Sequence, residues 1–450
     1  MKTASSVILV LVAVFGIHYE MMSQAKWQKT AYVPSPASRI NDGFFLTPML
    51  GWVVNGVGQI HRTSDGGSSW QKVFESSKTH FRSVGFLDSL NGYAGCLGWG
   101  DPNNPSSTDT NLIYHSTNSG QTWTPIISLS SAVIKRGFCG MHVINDSVIV
   151  AVGRVRGPAW FYRTTDRGQT WTAKDMSIYA GGLIDVRFTH PDTGFCVGLT
   201  NSNHDSSSGV ILFTSDGGAT WTKRITTARK GEWCWKINFP SRKVGYVSLQ
   251  RNTLSPIYFV KTTDGGNTWT EKLFSTSYYY VQGIGFANDT LGWAGGNSAN
   301  PMYETTNGGE SWHSVGLGRR INRIRMFSNT LGYAVGDSVY KYTPTGTGII
   351  ADNGSERPLN FVLRNNFPNP FNPETKIQFT LREASRVVIT IFDIHGSIVC
   401  TLLNEHLSAG EYIARWDGTN EAEEPAASGT YFYRLQTEKS VETKKMMLVR

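Results

Sequence analysis

Five cysteines in 450 residues, with no CxxC pair among them, are too few and too scattered for a disulfide scaffold or a zinc ribbon. The odd count leaves at least one thiol of Cys96, Cys139, Cys196, Cys234 and Cys400 unpaired within a single chain. All five fall on strand-like runs, where the expected role is that of a small buried hydrophobe. No HExxH, GxSxG or glycine-rich phosphate loop occurs, which removes the common zinc-protease, serine-hydrolase and nucleotide signatures. The ten histidines are dispersed, with no metal-ligand spacing, so neither metal nor cofactor is expected. Long apolar runs are missing too. The longest, Val7–Ile17, is 11 residues, well short of the ~20 that a spanning helix needs. Charge is sparse at 17%, with a net of +8. Residues 361–450 hold 10 Lys/Arg against 11 Asp/Glu, so the basic excess lies upstream. It is scattered singly, without the block expected of a nucleic-acid surface. Such charge serves solvation, or favours an acidic polysaccharide or an anionic cell surface.

Tryptophan, by contrast, recurs in a fixed setting. The phrase [Ser/Thr]-x-[Asp/Asn]-x-Gly-x-[Ser/Thr]-Trp appears six times, at Thr63–Trp70, Ser116–Trp123, Thr164–Trp171, Thr214–Trp221, Thr262–Trp269 and Thr305–Trp312. The tryptophans are 53, 48, 50, 48 and 43 residues apart, the period of a propeller blade rather than of a helical repeat. At the third position Asp65, Asn118, Asp166, Asp216, Asp264 and Asn307 can accept hydrogen bonds from their own turn, while the following Gly tolerates positive φ. Trp70, Trp123, Trp171, Trp221, Trp269 and Trp312 then carry apolar surface into a seam between blades. A self-satisfied turn is therefore favoured over a metal or substrate site at these carboxylates.

This phrase resembles the Asp-box, or BNR, repeat of sialidases, sortilin-type receptors and photosystem assembly factors of the Ycf48 type. Around it the unit continues with an inner strand such as Asp185-Val186-Arg187-Phe188 and a Gly-aromatic strand such as Gly194-Phe195-Cys196-Val197. Each unit thus holds four strands, the fourth expected to end at the Trp. A seventh unit, Arg323–Gly346, has lost its Trp, but Lys26-Trp27-Gln28-Lys29 echoes Ser69-Trp70-Gln71-Lys72. A closing strand at about 26–33 would complete that blade and leave no open edge. The fold expected is all-β: a seven-bladed β-propeller over 26–346, then a small immunoglobulin-like β-sandwich.

The ends of the chain suggest an export route. Residues 1–25 read as a signal peptide: Lys2, the apolar stretch, then Ser23-Gln24-Ala25 as a cleavage site. A polar linker, 347–360, precedes six short alternating segments between 376 and 449. Asn366-Phe367-Pro368-Asn369-Pro370-Phe371, Trp416-Asp417-Gly418, Ser428-Gly429-Thr430-Tyr431 and Lys444-Lys445-Met446 resemble a type IX secretion sorting domain of type A, and more weakly the immunoglobulin-like domain of flagellar hook-capping proteins. The resemblance implies engagement of the type IX machinery through 361–450 and delivery to the medium or the outer-membrane surface of a Bacteroidota-like cell.

In a propeller the repeat turns share one face with the short first-to-second strand turns. The opposite face gathers the long, divergent loops, which is where binding usually lives. On that face we expect exposed aromatics at Trp99, Trp160, Trp233, Trp235, Tyr278, Tyr279 and Tyr280, with Arg136, Arg187 and Arg323 near the channel mouth. Flat rings in a polar loop suit a sugar or a peptide, so the expected function is non-enzymatic binding of a protein or glycan partner. The alternative is a secreted glycoside hydrolase, for which Asp185 and Glu232 are the only carboxylate pair to name. The Arg-Ile-Pro-like segment of sialidases is missing.

Overall fold

The computed structural model describes residues 25–30, 39–98, 107–126, 137–252, 254–296, 300–344, 361–364, 366–393, 398–437 and 441–450. The expected signal peptide and the 347–360 linker lie outside them. The chain divides into two compact units, Met1–Ile349 and Ile350–Arg450.

The first unit is seven four-stranded antiparallel sheets. Blade 1 comprises Ile40–Phe45, Gly51–Asn55, Gln59–Thr63 and Gln71–Glu75; blades 2 to 6 repeat the order with inner strands Phe81–Phe86, Gly140–Val143, Gly182–Phe188, Glu232–Asn238 and Val281–Phe286. In blade 7, Arg323–Ser328, Leu331–Val335 and Val339–Pro344 are completed by Ala25–Lys29 from the other end of the chain. Trp27 pairs with Tyr342 in that ladder and packs its ring edge-on to Trp293 of blade 6. It fills the wedge that blade 7's own repeat has lost. The two ends of the propeller sequence thus close the ring within one sheet.

Contrary to the expectation above, the fourth strand begins after the repeat tryptophan rather than ending at it. The reason is a hydrogen-bond cage that closes the turn between third and fourth strands. In all six copies the first hydroxyl donates to the Asp or Asn oxygen at 2.7 to 3.0 Å and accepts the N–H of the conserved-position Gly at 2.8 or 2.9 Å. The Asp oxygen then accepts the N–H two residues beyond that Gly, as Asp216 does from Thr220 at 2.8 Å. Hydrogen bonds from Thr220 hold the Asp216 carboxyl at about 2. Gly218 has φ +96° and faces Phe161 of blade 3 so closely that a Cβ would come within 2.3 Å of the ring. Trp221 leaves this turn buried, edge-on to Phe161 and to Phe188 of its own blade. Burying such a ring contributes several kcal/mol (~3–5 on truncation).

The inner strands line the channel, and their free edges would leave backbone groups unpaired. Side chains of neighbouring blades supply partners. Asp42 accepts Val84 N–H, His142 accepts Phe188 N–H, Asp185 accepts Ile237 N–H and Asn238 accepts Phe286 N–H. Strand alternation places one residue of each blade at the same level. Aligned on Phe45, Phe86, Val143, Phe188, Phe239, Phe286 and Met326, the position three before reads Asp, Ser, Gly, Asp, Lys, Gly, Arg, and the position one before reads Phe, Gly, His, Arg, Asn, Gly, Arg.

The five cysteines are buried and unpaired. The second unit is a sandwich of Phe361–Leu363, Thr375–Leu381 and Gly410–Trp416 against Ile398–Leu407, Ser385–Phe392, Gly429–Gln436 and Val441–Leu448. Alternate residues such as Ile377, Phe379, Ile389, Ile391, Tyr433 and Leu435 make its core. Asn366 Nδ2 donates to Thr375 Oγ1 at 2.9 Å and Tyr433 Oη to the Arg364 carbonyl at 2.9 Å, so the Asn-Phe-Pro-Asn-Pro segment is tied to the sandwich.

Candidate functional site

The channel is closed midway by charge. Arg323 donates to both oxygens of Asp185 at 2.8 Å and through Nε to Asp42 at 3.0 Å. Burial would raise the Asp185 carboxyl, but Arg323 and Lys236 overcome it and hold it at about 2. Lys236 is buried at the same level, and its amine is pushed down to about 8 by burial and by Arg323. This plug separates two mouths.

On the long-loop side a cavity of about 170 Å³ is lined by Arg82, Arg156, Trp233, Trp235, Gln250 and Tyr280, among others. Trp235 spans toward blade 7, its indole donating to Asn322 Oδ1 at 2.8 Å, with the Arg82 guanidinium 5.6 Å over its ring. Trp233 packs at a tilt against the His204 ring and donates to its carbonyl at 3.3 Å. A relay of amides runs along one wall: Arg39 donates to Gln282, Gln282 to Gln250 at 2.5 Å, and Gln250 to Tyr280 Oη at 2.5 Å. Burial, with Arg82 and Arg320 nearby, lowers the Arg39 guanidinium to about 9.

The expected site residues therefore divide. Trp233, Trp235 and Tyr280 come together at this mouth, but Trp233 and Trp235 are 3% and 5% exposed, not surface rings. Each has a polar partner for its N–H, which lets the indole sink between blades. Tyr279 is likewise buried, packed on Phe274 and Tyr303 with its hydroxyl on the Pro301 carbonyl. Trp160 is half-buried against the blade 3 core, and Tyr278 is exposed; neither lines the cavity. Trp99 and Arg136 lie outside the described residues. Arg323 is the plug rather than the mouth. Arg187 lies at the opposite mouth, because it stands one residue before the end of its inner strand.

Asp185 and Glu232 do not form an acid–base pair. Both Asp185 oxygens are taken by Arg323, and Glu232 accepts from Arg229 at 2.9 and 3.2 Å. Burial raises the Glu232 carboxyl despite Arg229. The residues that sequence reasoning missed, Asp42, Lys236, His142, Arg325, Gln250 and Gln282, sit on inner or second strands. Laying the seven repeats on their inner-strand ends would have found the first four.

Residues 367–440 match the FlgD Ig-like domain family. The propeller is similar to the photosystem II assembly lipoprotein Ycf48 of Synechococcus sp. (strain CC9902), 26% identical over 249 residues, 52% of this chain. This chain spans 62% of that relative's length. Among solved structures, one described as YCF48 bound to D1 peptide superposes with TM-score 0.53 at 19% identity, over 71% of this chain and 95% of that one. PorZ of Porphyromonas gingivalis, described as a surface component of the type IX secretion system, gives 0.51 at 12% identity, over 92% and 59%. A GH74 xyloglucanase from Xanthomonas campestris gives 0.52 at 12% identity, over 94% and 75%. The chain is thus a β-propeller with Ycf48-like homology, followed by an immunoglobulin-like domain. At these identities the likeness to the solved structures speaks for fold alone.

Proposed function

We propose that this is an exported, non-enzymatic propeller of the Asp-box type that binds a protein or glycan partner at its long-loop mouth. The observation that carries the reading is the cavity where Arg82 and Arg156 stand beside Trp233, Trp235 and Tyr280. Guanidinium and ring faces together suit a peptide or sugar carrying an anionic group. The relative that binds a D1 peptide supports a peptide ligand by analogy of fold. The C-terminal sandwich acts in this reading as a type IX sorting domain, supported by its motifs and by the PorZ likeness, with the medium or outer-membrane surface as destination.

The competing hydrolase reading draws on the GH74 likeness and on the raised Glu232 carboxyl. It is disfavoured because Asp185 is ionised and capped by Arg323. The test is the mature protein on immobilised glycan and peptide arrays, run alongside turnover assays on xyloglucan, other glucans and sialosides. Retention of one ligand class without turnover supports binding. Release of reducing ends above a no-protein control would establish the hydrolase instead.

A further inference from the structure

The mouth on the repeat-turn side has chemistry of its own. A cavity of about 190 Å³ opens there, its lining including the polar Arg187, Arg325 and His142 and the apolar Phe44, Met326 and Phe327. That volume exceeds the ~150 Å³ that accepts a benzene ring in an engineered cavity.

Three features of the polar wall ask for an anion. The first is charge. Along the channel, among the described residues, the guanidiniums of Arg187, Arg323 and Arg325 face only the carboxylates of Asp42 and Asp185. Asp185 is consumed by Arg323, Asp42 is shared between Arg323 and Arg325, and no carboxylate pairs with Arg187 among the described residues. The second is an unused donor: Arg187 Nε is buried without a hydrogen-bond partner among those residues. The third is a mismatch of donors. His142 Nδ1 accepts the Phe188 N–H at 3.1 Å, so a neutral imidazole carries its proton on Nε2. That Nε2 stands 2.9 Å from Arg187 Nη1, which is also a donor. Burial keeps the imidazole from charging, with Arg187 and Arg325 acting in the same direction. Two N–H groups facing each other are relieved by an oxygen that accepts from both.

The apolar part of the lining is partly open. Phe327 is 41% exposed, and on the same face the first-to-second strand turns of blades 1 and 2 carry Met49 and Leu90, 51% and 54% exposed. Blades 7, 1 and 2 thus each present an exposed apolar side chain on this face.

We propose that this mouth binds a carboxylate carrying an apolar body, its oxygens between Arg187, Arg325 and His142 and its body against Phe44, Met326 and Phe327. The site is independent of the long-loop mouth and does not rest on the function proposed above. A free aryl-alkyl acid and a chain terminus ending in an apolar residue share this chemistry.

The test is titration calorimetry on the full chain with hydrocinnamate, with its amide, with sodium sulfate, and with a tripeptide ending in Phe as free acid or amide. Binding of hydrocinnamate, or of the free-acid tripeptide alone, supports the site and says which source it takes. In either case the amide should bind at least tenfold more weakly, Arg187→Gln should lose at least tenfold, and Arg242→Gln, on an exposed turn of the same face, should not change affinity. Phe327→Ser should weaken hydrocinnamate severalfold without affecting folding, since its ring is exposed. Melting curves of each variant without ligand separate lost binding from lost fold. Sulfate binding alone, no binding by either acid, or an unchanged affinity in Arg187→Gln would each overturn the proposal.

Discussion

Arg323 of blade 7 reaches across the channel to take both carboxylate oxygens of Asp185 in blade 4, 2.8 Å at each. The contact ties together two inner strands that are 138 residues apart in sequence, and it does so on the axis where no sheet ladder can. Removing one member of a buried pair leaves an uncompensated charge, whereas replacing all members by apolar groups often does not. Arg323→Ala should therefore destabilise the propeller by ~3–5 kcal/mol. Arg323→Met with Asp185→Asn, which leaves Asp42 paired with Arg325 and keeps an oxygen for the Ile237 N–H, should cost clearly less. Chemical denaturation of the two variants checks this, and equal losses would mean the charges are incidental to packing.

The same pair sets an acid limit. Asp185 sits at about 2 in the fold, below the ordinary aspartate value of 3.8. A depressed carboxyl contributes stability that is present above its unfolded value and lost as pH falls through its folded one. Stability should thus decline as pH drops from near 4 toward 2, and Asp185→Asn should flatten the part of that decline due to this group. Denaturation midpoints across the window give the comparison.

Trp221 is buried between blades 3 and 4, its indole donating to the Gly218 carbonyl at 3.0 Å. Trp221→Ala should cost ~3–5 kcal/mol with no separate functional defect. A variant that melts with the wild type would remove the wedge role from all six tryptophans.

Much of this was legible in sequence because the repeat is written in residues with strong local preferences. The hydroxyl, carboxyl and glycine of each turn satisfy one another locally, so the six phrases read as turns without any tertiary knowledge. Trp27 was legible for the same reason, as an echo of Trp70. The strand starts after the tryptophans were not, because a cage of side-chain hydrogen bonds sets that boundary. Nor was burial of Trp233, Trp235 and Tyr279, which depends on partners contributed by Asn322, His204 and Pro301 far along the chain. The Arg187–His142 juxtaposition needs two adjacent blades to be superposed in register, which no single segment reveals.

Ring closure depends on Ala25–Lys29, which supplies the outer strand of blade 7. Deleting these residues should expose the Val339–Pro344 edge and promote self-association, as free edges do. Sedimentation of the shortened chain tests it; a monomer with an unchanged melting temperature would show another closure.

The sandwich has its own core, so removing 361–450 should leave a folded propeller. In the sorting reading that propeller stays in the periplasm. Fractionation of cells expressing the truncated chain is the check, and normal amounts in the medium would contradict the route.

The central claim is that a partner is held at the long-loop mouth. The most direct measurement is the affinity of an array-identified glycan or peptide for two paired variants. Arg156→Ala with Tyr280→Ala alters the mouth; Ser68→Ala with Asn267→Ala alters the repeat turns. The account predicts a loss of ~1–3 kcal/mol for each mouth residue that contacts the ligand and almost none for the turn pair. Equal losses for both pairs, or none for the mouth pair, would contradict it.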